Sequence, residues 1–259
     1  MTGASNIRRY HSHVATPDLI TQFRAARADP ALAVLEGFHA IKHAIRFDAE
    51  FVAIASRNVD EVTVLARHLA PDVQDRIMAL ATSVSADVYS ALSPTPPDTG
   101  VIAIARRRIT PLDELLSRPA DAPIVLLESP SHSGNIGAVI RVAAGAGAAA
   151  VVTTGSNDPW NPGAIRGAAG LHFALPVIRA GDPEFGDRPV IAIDPEGDEL
   201  HASSIPPGAV LAFGSERAGV TPALLARASR RVRIPMEQGV SSLNLATAVA
   251  VVLYAWRLR

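Results

Sequence analysis

The chain has 259 residues, 48% of them hydrophobic, and a formal net charge of −1. That length suits one large domain or two modest ones, and that apolar content excludes a disordered chain. The absence of cysteine excludes disulfides, thiolate metal sites and cysteine nucleophiles. The start, MTGASNIRRYHSHV, contains no apolar stretch of signal-peptide length, so a cytoplasmic protein is expected. The apolar run Leu243 to Trp256 is too short for a membrane span and reads as a buried helix. A polyanion partner would need local basic surfaces on a chain so nearly neutral. The candidates are Arg8-Arg9, Arg106-Arg107-Arg108, and Arg230-Arg231 with Arg233, although such runs are also common as solvated surface.

The N-terminal part alternates helices with short apolar strands. A helix around Glu36 to Arg46 sets Phe38, Ile41 and Ile45 on one face, at the spacing of a buried stripe. His39, Lys42, His43 and Arg46 share the opposite side, as a solvated helix face or an RNA contact. His39 and His43 have the spacing of a metal pair, but no third ligand follows at suitable distance, and no metal is expected. FVAIAS (Phe51 to Ser56) reads as a strand and Glu61 to His68 as a helix. VYSAL and VIAIA flank the proline-rich SPTPPDTG, and RRRITPLDELLSRPADAP then reads as a linker ending near Pro123.

Beyond Pro123 the alternation becomes regular. IVLLE, AAAVVTTG, PVI, PVIAID, AVLAFG and RVRIP read as strands. Helices are expected over Asn135 to Gly145, over Asn161 to Ala169, from Thr221 with proline at its first position, and over Ser242 to Trp256. Short apolar strands separated by helices predict a parallel sheet covered on both faces, with ligands beyond the carboxyl ends of its strands.

Three of those strand ends carry unusual residues. In ESPSHSGNIGAVIRVAAGAGA, Gly134 and Gly137 allow close backbone approach, Asn135 has the character of a helix cap, and Ile136, Val139, Ile140 and Ala143 form a buried stripe. Arg141 points about 140° away from Ile136 and so leaves the core. LAFGSERAGVTP places Glu216 just past a buried strand, where an acid either favours a helix N-terminus or accepts hydrogen bonds from a ligand. In IPMEQGVSSLNLATAV, Ser242 is a natural N-cap, whereas Asn244 in the first turn has only modest helix propensity.

Together and in this order, N-x-G-x-x-x-R, F-G-S-E-R-x-G, and I-P-M followed by S-L-N closely resemble the three motifs of the SpoU/TrmH family of SPOUT methyltransferases. WNPGAIRGAAGLHFALPV, with Arg166 and Gly170, and EGFHAIKHAI resemble further family segments, so the likeness covers roughly residues 30–259. Ala168 stands where a serine is common, Ser241 where an acid is common, and SPSHSGN replaces a shorter aspartate-proline lead.

This resemblance implies an α/β fold: a trefoil-knotted, parallel-sheet SPOUT methyltransferase domain over 123–259, a linker over 107–122 and a small α/β RNA substrate-binding domain over 1–106. It implies S-adenosylmethionine contacts at Gly214, Glu216, Ile234, Met236 and Leu243, largely through backbone groups. Catalytic and binding roles fall to Asn135, Arg141, Glu216, Ser242 and Asn244. The implied activity is 2′-O-methylation of a ribose in structured RNA, ribosomal ahead of transfer RNA, by a homodimer.

Such a transfer is an in-line displacement that needs alignment of oxygen, methyl and sulfur and no metal. Family precedent makes Arg141 the base, yet a guanidinium is normally protonated, so a bidentate clamp on the neighbouring phosphate is the other role. A dinucleotide-dependent oxidoreductase is the main alternative enzyme, although SGNIG lacks the full glycine fingerprint. A catalytically silent RNA-binding relative is disfavoured by the joint presence of Asn135, Arg141, Glu216, Ser242 and Asn244.

Overall fold

A computed structural model describes residues 16–258, so the Arg8-Arg9 pair lies outside the described residues. Helix α1 (Thr16–Ala26) leads to β1 (Leu32–Glu36), α2 (Phe38–Arg46) and β2 (Phe51–Ser56). Then come α3 (Val59–Leu69), α4 (Gln74–Leu80), β3 (Ala81–Ser83), α5 (Ala86–Ala91) and β4 (Val101–Arg106). The four strands form a mixed sheet in the order β1-β4-β2-β3. Phe38, Ile41 and Ile45 are buried, as the helical spacing predicts. Strand β1 already ends at Glu36, because Gly37 takes φ +94° and turns the chain into α2. VYSAL folds mostly as the end of α5, with Ser85 capping the helix through its side chain.

The segment 107–122 is not structureless. It contains α6 (Leu112–Ser117), whose Leu115 is buried among Ile124, Leu126 and Val210 of the second sheet. That sheet is built from β5 (Ile124–Leu127), α7 (Ser133–Ala146), β6 (Ala150–Thr153), α8 (Pro162–Gly167), β7 (Val177–Arg179) and β8 (Val190–Glu199). It continues through β9 (Val210–Phe213), α9 (Pro222–Arg227), β10 (Arg230–Arg233) and α10 (Leu245–Arg257). Its six strands run in the order β10-β8-β9-β5-β6-β7, and every neighbouring pair is parallel. The α/β architecture with a parallel sheet is therefore as the strand pattern predicts. Strand β8 outruns PVIAID because a bulge opposite Arg231/Val232 lets pairing resume at Asp198 and Glu199. A Cβ on Gly197 would stand 2.4 Å from the Val232 nitrogen, so only glycine fits beside that bulge.

Helix α7 buries Ile136, Val139, Ile140 and Ala143, the stripe read from the sequence, and packs on α8 and α10. Gly137 faces α8 so closely that a Cβ would lie 2.3 Å from the Ala164 carbonyl oxygen. The close approach expected of this glycine is thus between two helices.

The two sheets share one core. Leu35, Phe38 and Ile41 belong to the same buried cluster as Val125, Ile136, Trp160 and Phe173. Polar contacts reinforce the seam. His43 Nδ1–H donates to the Ala169 carbonyl at 2.7 Å, and the Arg108 guanidinium donates to the Phe47 and Phe173 carbonyls, each at 2.7 Å. Gly170 has φ +76°, and a Cβ there would come 2.3 Å from the Ala40 carbonyl oxygen.

Candidate active site

A cavity of about 740 Å³ opens at the carboxyl edge of the parallel sheet. Its floor is the middle of β8, at residues 193–195, and the end of β9, and its walls are the start of α7, the loop after β9 and the segment between β10 and α10. Asn135, Gly214, Glu216, Ile234, Met236, Ser242, Leu243 and Asn244 all line it. The structure therefore brings together every site residue read from the sequence except Arg141.

Gly214 is fixed by crowding. The loop after β9 folds back through paired hydrogen bonds between Ser215 and Gly219, at 3.1 and 3.0 Å, and a Cβ on Gly214 would overlap the Gly219 backbone at 1.8 Å. That fold-back places Glu216 at the mouth of the cavity.

Three side chains then join the motifs. Asn244 Nδ2 donates to Asn135 Oδ1 at 3.1 Å, and Asn135 Nδ2 donates to Glu216 Oε1 at 2.7 Å. The Ser131 backbone N–H donates to the other carboxylate oxygen at 2.8 Å. Partial burial would push the Glu216 carboxyl up, but these donors outweigh it and hold the pKa down at about 2. Glu216 is thus a fixed anion that presents acceptor lone pairs to the cavity.

Two capping expectations are corrected here. Asn135 does not cap α7: the helix begins at Ser133, which puts Asn135 in the first turn with its amide committed to Glu216 and Asn244. Ser242 does not cap α10 either. The cap is Asn244, whose Oδ1 accepts from the Ala246 N–H at 2.9 Å, so the helix starts at Leu245 and Ser242 stays in the exposed loop lining the cavity. The same asparagine therefore caps a helix and orients Asn135.

Arg141 sits elsewhere. It is exposed, about 9 Å farther along α7 than Asn135 at 1.5 Å per residue. It lines a second cavity, at the seam between the sheets, with His39 and Lys42 of α2 and Arg166 of α8. Of the α2 side chains that read as either a solvated face or an RNA contact, His39, Lys42 and His43 line this cleft, whereas Arg46 turns to Asp72.

The other basic runs among the described residues are largely consumed by structure. Arg106 pairs with Glu50, Arg107 with Asp158, Arg231 with Asp194 and Glu196, and Arg233 with Glu199. The sequence reading missed Asp194 and His132, which also line the first cavity. An acid closing the PVIAID strand was the available signal for Asp194.

Among the described residues no group of three His, Cys, Asp or Glu could hold a metal ion, and no helix is long and apolar enough to cross a membrane.

The pattern of the SpoU rRNA Methylase family matches residues 122–254, the span that contains this cavity and all three motifs. The chain belongs to that family. Among relatives of this SpoU methylase is the 23S rRNA (guanosine(2553)-2′-O)-methyltransferase RlmP of Bacillus subtilis. It is 30% identical over 186 residues, 67% of this chain and 71% of the relative. A solved RNA 2′-O ribose methyltransferase is 30% identical and superposes with a TM-score of 0.73, covering 96% of this chain and 98% of the other. The fold is also that of the SpoU methyltransferase AviRb from Streptomyces viridochromogenes, solved with the cofactor AdoMet. That structure has a TM-score of 0.74 at 22% identity, over 92% of this chain and 96% of that one.

Proposed function

We propose that this SpoU methylase transfers the methyl group of S-adenosylmethionine to a ribose 2′-hydroxyl of RNA, with ribosomal RNA as the favoured substrate. The observation that carries the reading is the Asn244–Asn135–Glu216 relay, which ties all three family motifs together at one cavity. Family membership and the ribosomal RNA relative support the same reaction.

The cavity suits the cofactor. Ile234, Met236, Leu243 and Phe213 offer apolar surface, while Glu216, Ser242 and Asn244 offer a carboxylate, a hydroxyl and an amide at its rim. S-adenosylmethionine bound there supplies a sulfonium-activated methyl, for which displacement needs no Lewis acid. The protein contributes position: Asn135 and Asn244 are locked by their mutual hydrogen bond and hold Glu216 in one orientation, so the reacting groups meet without reorganisation. The convergence of β8 and the segments after β9 and β10 on one cavity supports the knotted threading that the family resemblance implies. Arg141 serves as a phosphate clamp in this scheme, because a guanidinium is normally protonated and cannot accept the hydroxyl proton; the clamped charge lowers the hydroxyl pKa, and the proton passes to solvent as the methyl is transferred.

We also assign the protein to the cytoplasm, to a small N-terminal RNA-binding domain (1–106) followed by a linker and a catalytic domain (123–259), and to a homodimer. Support for the dimer comes from α10, which buries Leu245, Val249, Val252 and Trp256 yet leaves Val251 and Tyr254 exposed on its other side. Val251→Glu should shift the protein toward monomer in light scattering at micromolar concentration, and a wild-type monomer there would overturn the assignment.

The reaction itself is tested by incubating the protein with tritiated S-adenosylmethionine and unmodified ribosomal or transfer RNA transcripts, then mapping alkali-resistant 2′-O-methyl sites. Label in ribosomal RNA is the expected result. No label in either RNA, or binding of NAD in place of S-adenosylmethionine in calorimetry, would overturn the proposal.

A further inference from the structure

We infer that the seam between the two sheets is a phosphate-binding subsite for the RNA strand, formed by Lys42 and His39 of α2, Arg141 of α7 and Arg166 of α8. This rests on the RNA-methylating reading above and says which N-terminal side chains hold the substrate.

The cleft measures about 530 Å³, and these four side chains line it. Lys42 and Arg141 make no ion pair or hydrogen bond among the described residues, and His39 has only a ring contact with Phe38. Glu36 is the one carboxylate lining the cleft, and it is already occupied. It accepts from Arg27 at 3.0 Å, Ser93 Oγ at 2.7 Å and Arg166 at 3.4 Å, with its side chain 6% exposed. Asp72, an acid outside the cleft whose charge acts on Lys42, is held by two bonds of 2.6 Å from Arg46. The cleft therefore keeps two cations, Lys42 and Arg141, outside any ion pair among the described residues, while Arg166 shares Glu36 with Arg27, on a chain whose other basic runs are mostly paired.

Burial and neighbouring charge act together on the titrating groups of the cleft. Burial lowers the pKa of His39 and of Lys42, and neighbouring cations, Arg141 among them, push each further down, with the Asp72 charge opposing this at Lys42. A bound anion would relieve all of them at once. The mixture suits a phosphate: the Arg141 fork can engage two oxygens while Lys42 adds a point charge. Position agrees as well, because α7 carries Asn135 in the first cavity and Arg141 in the cleft. A strand whose ribose lies at Asn135 then has its backbone directed toward α2.

Backbone contacts are blind to sequence, so a labelled 20-nucleotide oligouridylate serves as probe in fluorescence anisotropy across a salt series. Lys42→Gln and His39→Gln lie outside the cofactor cavity and should leave S-adenosylmethionine affinity in calorimetry unchanged, which also reports intact folding. Lys42→Gln should weaken oligonucleotide binding several-fold and flatten the slope of log K against log salt by about 0.7, the value for one phosphate contact on a single strand. Arg118→Gln, which removes the same charge from an exposed i,i+4 pair with Glu114, should leave the slope at the wild-type value. Wild-type slopes in both Lys42→Gln and His39→Gln, or an equal loss in Arg118→Gln, would sink the subsite while leaving the methyltransferase reading intact. A wild-type protein that binds no RNA would remove both.

Discussion

Asn244 donates to Asn135 across 3.1 Å and so couples chain positions 109 residues apart at the lip of one cavity. Each amide is used at both ends: Asn244 also accepts from the Ala246 N–H, and Asn135 also donates to Glu216. Neither asparagine can flip without breaking two bonds. Asn135→Ala should therefore cost more than its own contacts, because it frees Glu216 and Asn244 together. We expect methyl transfer to fall by at least ~10²-fold, the scale of losing a positioned polar group, with a stability loss of about 1–2 kcal/mol. Tritium incorporation and the thermal midpoint report the two effects separately, and unchanged turnover would show that the relay is not used.

Arg141 offers the opposite test. It lies outside the cofactor cavity, so Arg141→Ala should leave S-adenosylmethionine affinity and the melting temperature near wild type. Methyl transfer should drop by at least ~10²-fold. Arg141→Lys should restore little of it if two phosphate oxygens are gripped at once, since an ammonium is a point charge. Strong rescue by lysine would favour a simple charge role.

The acid side of the stability profile has two contributors with the same sign. Burial lowers the pKa of His172 to about 4 against its ordinary 6.5, and only its contact with the Pro159 carbonyl and the Asp158 charge oppose that. The unfolded chain therefore binds the extra proton first, and stability declines as pH falls from 6.5 toward 4, by at most about 1.4 kcal/mol per pH unit. Glu216, held at about 2, contributes above its ordinary 4.5 and loses that contribution as pH falls from 4.5 toward 2. The thermal midpoint should thus begin to fall just below pH 6.5. His172→Asn should start lower at neutral pH and show a flatter decline between pH 6.5 and 4. An equal slope in the variant would exclude His172 as the source.

Gly137 and Gly134 differ by one helical turn and should respond oppositely to alanine. At Gly137 the new methyl would be 2.3 Å from the Ala164 carbonyl oxygen and 2.9 Å from the Ala168 nitrogen, both backbone atoms. Helices α7 and α8 must then separate, at a cost of about 1–3 kcal/mol or more. At Gly134 nothing lies within 4 Å, and alanine should be neutral or stabilising by up to about 1 kcal/mol. Chemical denaturation of the two variants checks the ranking.

Much of this molecule was legible in its sequence, for identifiable reasons. IVLLE and AVLAFG are strands buried on both faces, so unbroken apolar runs marked them, and Phe38, Ile41 and Ile45 kept helical spacing. The cavity residues were legible through the motifs, because chemistry demands unusual residues at strand ends. What stayed hidden depends on contacts distant in the chain. Asn244 rather than Ser242 caps α10 because Asn135 holds its amide in place. Arg107 and Arg231 looked like open basic surface until Asp158 and Asp194 came beside them. The placement of Arg141 against Lys42 depends on how two sheets pack, and no local pattern encodes it.

That packing has a mechanical consequence. A single apolar core runs from Leu35 and Phe38 through Ile136 to Trp160, and Gly170 lies too close to Ala40 for any side chain between them. The two halves cannot swing apart as beads on a tether without exposing that shared interior. They should melt in one cooperative transition and fail to fold when cut apart. The cleft between them then behaves as a gauge of fixed width.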